Sequence, residues 1–274
     1  MGRMSTTPKP PRRPRLTYVE EVEQLTPGMV RIVLGGPGLE DFPADQFTDH
    51  YVKLQIPPAG ASYAAPFDPE EVKATLPREQ WPRVRTYSVR AWDAGQRRLT
   101  IDFVVHGDRG VAGPWAAAAQ VGDTLQLVGP GGDYAPDPGA DWHLMVGDAA
   151  VIPAIAASLE RVPAGAPVHV VIQVDGPEER QQLRTDADLR LTWVHDEEAL
   201  LSAVRELEFP AGAVHAFVHG EAGAVREVRR HLLADRGVPR EALSVSGYWK
   251  RTLADEDWRA VKRDWNAQVE QDVA

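Results

Sequence analysis

The hydrophobic pattern of this chain changes character once, at Asp137-Pro138-Gly139, and that change restricts the fold more than any other feature. Before it, six short segments rich in Val, Ile, Leu and Tyr are separated by Gly and Pro; they span residues 15–24, 29–35, 50–55, 85–91, 97–106 and 124–129. In the fifth, Leu99, Ile101 and Phe103 alternate with Thr100, Asp102 and Val104, the two-residue period of a half-buried strand. Six strands at this spacing predict an antiparallel β-barrel. The stretch between Pro57 and Pro82 interrupts it with one helix start, Asp68-Pro69-Glu70-Glu71, and is expected to form a surface loop.

Beyond the boundary, apolar runs at 142–146, 167–174, 189–194, 214–219 and 244–248 alternate with helix-like segments at 151–161, 177–183, 197–206 and 221–235. Strands alternating with helices predict a parallel sheet covered on both faces. A last helix places Trp258, Val261, Trp265 and Val269 on one side, a stripe suited to core packing. The organisation expected is a disordered tail (1–14), a barrel domain (15–138), an α/β nucleotide-binding-like domain (139–250) and a C-terminal helix (251–274).

Composition narrows the function. The formal charge of −10 argues against a nucleic-acid partner. There is no cysteine, which excludes disulfides, thiol nucleophiles and cysteine-held iron–sulfur clusters, so a redox role requires an organic cofactor. This usage fits a cytoplasmic location. The basic, proline-rich start lacks the apolar segment of a secretory signal, and no apolar run of about 18 residues predicts a membrane span. His215 and His219 have helical metal-pair spacing but fall in a strand, where positions four apart are ~13 Å from each other; no protein-held metal site is predicted.

Three stretches carry candidate chemistry. The first is R-T-Y-S-V-R at residues 85–90. The Arg85 guanidinium suits a pyrophosphate through forked hydrogen bonds, Tyr87 offers a flat apolar face with a polar tip, and Ser88 can donate to a ring nitrogen. These match the parts of a flavin dinucleotide. The second is H-G-D-R-G-V-A-G-P-W-A at 106–116, a glycine-rich turn leading into a helix, where backbone N–H groups can meet phosphate oxygens. The third is G-D-A-A-V-I-P-A-I at 147–155, a strand-to-helix turn of the kind that receives a nicotinamide nucleotide, although no G-x-G-x-x-G fingerprint occurs. Gly220-Glu221-Ala222-Gly223 follows another strand and is either a nucleotide contact or a tight turn.

With Y-V-K-L-Q-I-P at 51–57 and G-Y-W-K-R at 247–251, these stretches fall in one order. In that order the chain resembles the siderophore-interacting proteins, FAD-dependent ferric-siderophore reductases of the ferredoxin-reductase-like superfamily. The resemblance extends over nearly the whole chain after residue 15. It implies an FAD site made by Arg85, Thr86, Tyr87, Ser88, Asp102, Val104, His106, Gly110, Ala112, Gly113 and Trp115, with Asp148 and Trp249 from the second half. Arg85 would hold the phosphates, Tyr87 the ribityl and ring portion, and Ser88 would lie near flavin N5. Trp249 either stacks on the flavin or packs the last strand against the terminal helix. Lys53, with Lys250 or Arg251, matches positions that hold the anionic ferric siderophore beside the flavin.

The resemblance further implies that NADH or NADPH reduces the flavin, which passes electrons singly to Fe(III), releasing Fe(II) in the cytoplasm. No general acid or base is required. The chain departs from the family pattern at Val111 and Gly113, at Ala149 and Ala150, where Glu and Thr are usual, and at Gly131, where Arg is frequent. The missing cation favours a neutral hydroxamate complex as substrate. The alternatives are a flavin reductase serving another acceptor and a siderophore-binding protein without turnover.

Overall fold

The computed structural model describes residues 13–44, 46–108 and 110–272, so the expected N-terminal tail falls largely outside the described residues. The first half contains β1 (Arg15–Thr26), β2 (Met29–Gly35), β3 (Tyr51–Ile56), α1 (Pro69–Thr75), β4 (Arg83–Ser88), β5 (Ala91–Asp93), β6 (Arg98–Val104), α2 (Ala112–Ala118) and β7 (Thr124–Gly131). The strands form an antiparallel sheet in the order β4-β3-β7-β1-β2-β6-β5. Inward residues of alternating strands, among them Ile32, Leu54, Leu99, Ile101, Phe103 and Leu127, fill its interior and are fully buried.

The strand expected at 85–91 is divided into β4 and β5. Ser88 and Val89 are both buried, which a regular two-residue alternation does not permit, and the chain kinks there. Val89 N–H donates to His50 O at 2.6 Å, whereas Arg90 N–H donates to Thr100 O at 2.9 Å. The first part therefore pairs with β3 and the second with β6. The two edges of the seven-stranded strip are joined by this bent segment rather than by a continuous ladder, so the barrel is not closed by hydrogen bonds all the way round. In the predicted surface insertion, Asp68 caps α1 by accepting from Glu70 N–H.

The second half contains β8 (Trp142–Asp148), α3 (Ile152–Leu159), β9 (Pro167–Gln173), β10 (Asp188–Val194), α4 (Glu197–Arg205), β11 (Val214–Glu221), α5 (Ala222–Arg230), β12 (Leu243–Trp249) and α6 (Asp255–Gln271). Its sheet is parallel, in the order β10-β9-β8-β11-β12. The core on one face takes in α3; the core on the other takes in α4, α5 and α6. The helix expected at 177–183 is only a 3-10 turn, Pro177–Glu179. Leu183 is the sole large apolar residue of that stretch, too little to anchor a helix on the sheet. The helix expected at 221–235 keeps its α form to Arg230 and widens to a π turn over His231–Asp235.

The two halves share a buried boundary. Met29 and Val104 of the barrel join the core beneath α3. Ser158 Oγ on α3 bonds Thr48 Oγ1 at 2.8 Å, and Arg90 meets Glu160 at 2.6 Å.

The terminal helix packs as expected at Trp258, Trp265 and Val269, but Val261 is 43% exposed and lies outside the stripe. Trp258 also donates its indole N–H to Tyr248 O at 3.1 Å. Trp258→Ala is expected to cost about 3–5 kcal/mol, and Val261→Ala no more than about 0.5 kcal/mol. Urea unfolding of the two variants measures both, and equal losses would contradict this placement of α6.

Candidate functional site

In an open parallel sheet, ligands bind where the strand order reverses, beyond the carboxyl ends of the strands. Here that point lies between β8 and β11. It opens toward β4 of the barrel, and a cleft of about 1600 Å³ lies between the two halves. Drug-sized ligand pockets are about 300–1,000 Å³, so this cleft has room for more than one ligand.

The barrel wall is made by Lys53, Arg85, Thr86, Tyr87, Ser88, Asp102, Val104 and His106. Arg85 is 14% exposed and points to the first turn of α6, meeting Glu256 at 2.7 Å and Asp255 at 3.2 Å. Burial pushes the Asp255 carboxyl up, against the pull of Arg85 and Arg259. The Tyr87 ring lies 4.5 Å from Phe103, and burial keeps its hydroxyl protonated well above the usual tyrosine range. Ser88 is buried and lines the cleft, as does Tyr248. The Asp102 carboxylate lines the cleft but is held by a two-pronged bond from Arg31, at 2.7 and 2.8 Å.

The opposite wall centres on Asp148. One of its oxygens accepts Ala150 N–H at 2.9 Å; the other accepts Glu221 N–H at 2.8 Å and the Trp249 indole N–H at 2.9 Å. Burial raises its pKa, and these N–H groups oppose that rise. Asp148 therefore bridges the ends of β8 and β11 and fixes the ring of Trp249. Gly220 makes the bridge possible. Its φ is +131°, and a Cβ there would stand 2.6 Å from the Asp148 oxygen. Glu221 caps α5 through Gly223 and Ala224 N–H and accepts Arg251 N–H at 3.1 Å. The Gly-Glu-Ala-Gly stretch is thus the end of β11 and a helix cap.

The other expected residues are placed unequally. Trp249 and Arg251 line the cleft, though the Arg251 guanidinium is engaged with Glu197 at 2.8 Å. Lys250, Gly110, Ala112, Gly113 and Trp115 are not among the lining residues. Gly113 instead fits against Val104 O, which would be 3.1 Å from a Cβ, and Trp115 packs on Phe103. The space beside Gly131 is filled by the Tyr51 ring, 2.5 Å from where a Cβ would be. Any larger residue there would have to displace Tyr51.

Sequence reasoning missed the inner face of β11 and β12. His215, Phe217 and His219, two apart on β11, continue an aromatic row with Tyr134 and Tyr248. Tyr134 Oη and His219 Nδ1 are buried, belong to residues of the cleft wall, and have no hydrogen-bond partner among the described residues. Orphaned polar atoms beside such a volume fit a ligand rich in hydrogen-bonding groups, as a dinucleotide is. The two-residue spacing of His215 and His219 around Phe217 was the signal that could have found this face.

Burial moves the His219 pKa from its ordinary 6.5 down to about 3. Between those values the unfolded chain takes up a proton that the folded chain refuses. The stability held above pH 6.5 is therefore lost as pH falls through this window. One such group costs about 2 kcal/mol between pH 7 and 5. His219→Gln is expected to lose that much less than the parent protein in urea unfolding at the two pH values. An unchanged difference would mean that the imidazole is not held neutral.

Comparison with known proteins agrees with this architecture. Residues 18–134 match the family model described as siderophore-interacting FAD-binding domain, and residues 140–252 match that described as siderophore-interacting protein. Ferric vibriobactin reductase ViuB of Vibrio cholerae is 35% identical over 253 residues, covering 89% of this chain and 92% of its own. The NADPH-dependent ferric-chelate reductase of Escherichia coli is 30% identical over 256 residues, covering 90% and 99%. The crystal structure of the siderophore-interacting protein SipS from Aeromonas hydrophila superposes with a TM-score of 0.79 at 30% identity, covering 93% of this chain and 99% of that one. The chain belongs to the siderophore-interacting protein family, with an N-terminal FAD-binding domain.

Proposed function

We propose that this flavin-dependent ferric-siderophore oxidoreductase uses NADH or NADPH to reduce a ferric siderophore in the cleft and releases Fe(II) in the cytoplasm. The observation that carries the reading is the meeting of two walls. The Arg-Thr-Tyr-Ser end of β4 faces the crevice between β8 and β11 across a cleft large enough for a flavin dinucleotide and a second molecule. The names of the reductases to which the chain is similar point the same way.

FAD, when bound, supplies the conversion between two-electron donation by a nicotinamide and one-electron delivery to Fe(III). The protein's part is to bind and orient. Arg85, paired here with the carboxylates of α6, would hold the pyrophosphate by exchanging one anion for another. Tyr87, braced on Phe103 and kept neutral by burial, offers its face to the flavin chain and ring. Ser88 and Tyr248, both lining residues, would offer hydroxyl groups to the bound ligand. Trp249, held by Asp148, gives a fixed aromatic wall on the nucleotide side. At Ala149 and Ala150 only methyl groups face the cleft, and Ala150 N–H is already used by Asp148. The nicotinamide is therefore positioned by shape more than by side-chain hydrogen bonds. Iron leaves because hard oxygen ligands hold Fe(III) far better than Fe(II).

The test is anaerobic. FAD-loaded protein given NADH or NADPH is expected to lose its flavin absorbance, and to regain it on addition of a ferric siderophore while a ferrous chelator traps Fe(II). Bleaching without recovery would overturn the ferric substrate and favour another acceptor. No bleaching with either nucleotide would overturn the assignment of the donor.

A further inference from the structure

The turn at Gly147-Asp148 ends β8, and the chain returns through α3 into β9. The two strands lie side by side in parallel, with Gly147 opposite Ile172 and Asp148 opposite Gln173. In a doubly wound domain the pyrophosphate of a dinucleotide sits at the first of these turns, and a residue past the second strand meets the adenosine ribose. An acid there accepts the ribose 2′-hydroxyl, whereas an arginine accommodates a 2′-phosphate. In this chain the end of β9 carries Asp175.

Asp175 lines the cleft with Gln173 and Val174, and its carboxylate has no hydrogen bond or ion pair among the described residues. The turn that follows brings a second acid to the same wall. Glu179 accepts the Thr26 hydroxyl at 2.5 Å. Its carboxylate also rests against Gly28, where a Cβ would stand 3.0 Å from it. The turn between β1 and β2 therefore fixes Glu179 at the edge of the cleft. No lysine or arginine of the cleft wall comes from β9 or from the turn after it. Those that line the cleft stand on β3, β4, α6 and the loop before α6: Lys53, Arg85, Arg251, Arg259 and Lys262. Helix α6 is bonded to β12 through Trp258 and Lys262, and β8 and β11 lie between that strand and β9. Arg180 follows Glu179 but is not a lining residue, and it meets His195 at 3.0 Å. That the cleft receives a polar ligand is marked independently by Tyr134 Oη and His219 Nδ1, which are buried and have no hydrogen-bond partner among the described residues.

We infer that Asp175, with Glu179 on the turn after it, makes NADH rather than NADPH the electron donor. The inference rests on the reading of the cleft as a nicotinamide nucleotide site, and it decides between the two donors which that reading admits. The unengaged Asp175 carboxylate accepts the adenosine 2′-hydroxyl of NADH. In NADPH a phosphate of about two negative charges stands in place of that donor. It meets two carboxylates and no lysine or arginine at this end of the cleft, and is repelled.

ADP-ribose and its 2′-phosphate carry the two adenosine ends without the nicotinamide, so they test the subsite apart from the reaction. Calorimetric titration of the FAD-loaded full chain measures their affinities, and the rate of anaerobic flavin bleaching compares NADH with NADPH. The parent protein is expected to favour the form without the 2′-phosphate by at least about tenfold in both measurements. Asp175→Asn is expected to shrink that preference about tenfold, and Asp175→Glu to retain it. Glu178→Gln removes a neighbouring carboxylate that does not line the cleft, and is expected to change neither value. A parent protein that favours the 2′-phosphate or ignores it overturns the inference, as does an Asp175→Asn protein that shifts both ligands alike, or failure of both to bind. Fe(II) release driven by NADPH as well as by NADH overturns it while leaving the reductase reading in place. Selective binding of ADP-ribose and bleaching by NADH, without Fe(II) release from a ferric siderophore, supports it while counting against that reading.

Discussion

One guanidinium links the barrel to the far end of the chain. Arg85 leaves β4 and meets two carboxylates in the first turn of α6, with only 14% of its side chain exposed. An arginine so placed must always have an anion beside it; leaving it without one costs on the order of 1–3 kcal/mol. Asp255 and Glu256 meet that requirement from within the protein, and burial of Asp255 keeps its charge from being free of cost. A pyrophosphate would meet it from outside. With Arg85 as the proposed pyrophosphate ligand, the position of α6, the free energy of cofactor binding and the shape of the cleft would be coupled through a single side chain.

The opposite wall obeys a similar rule with the charges reversed. Asp148 is a buried carboxylate surrounded by N–H groups from β11, from the turn after β8 and from the indole of Trp249. A buried carboxylate with several N–H donors is tolerated, and it ties together the elements that supply them. The cleft therefore has one end built on a buried anion and the other on a cation.

Much of this was legible in the sequence because periodicity reports burial. The strands of both halves and the terminal helix follow the alternation and the helical stripes that their cores require. Where prediction and structure part, local pattern lost to tertiary demand. At Ser88 and Val89 two successive residues turn inward, which split the expected strand. The stretch 177–183 had a good helix start and no apolar face to anchor it. In the site, Asp148 and Trp249 were identifiable as candidates, but that one holds the other depends on a contact between residues 101 positions apart. Lys262 is four residues after Trp258 and three before Trp265, so it shares their face of the helix.

FAD affinity measured on folded Arg85 and α6 variants tests the central claim most directly. Titration of the apoprotein, with circular dichroism to establish folding, is expected to show Kd raised at least about tenfold by Arg85→Ala, and lowered by Asp255→Asn with Glu256→Gln, which releases the guanidinium. A folded Arg85→Ala protein that binds FAD as the parent does would contradict the account.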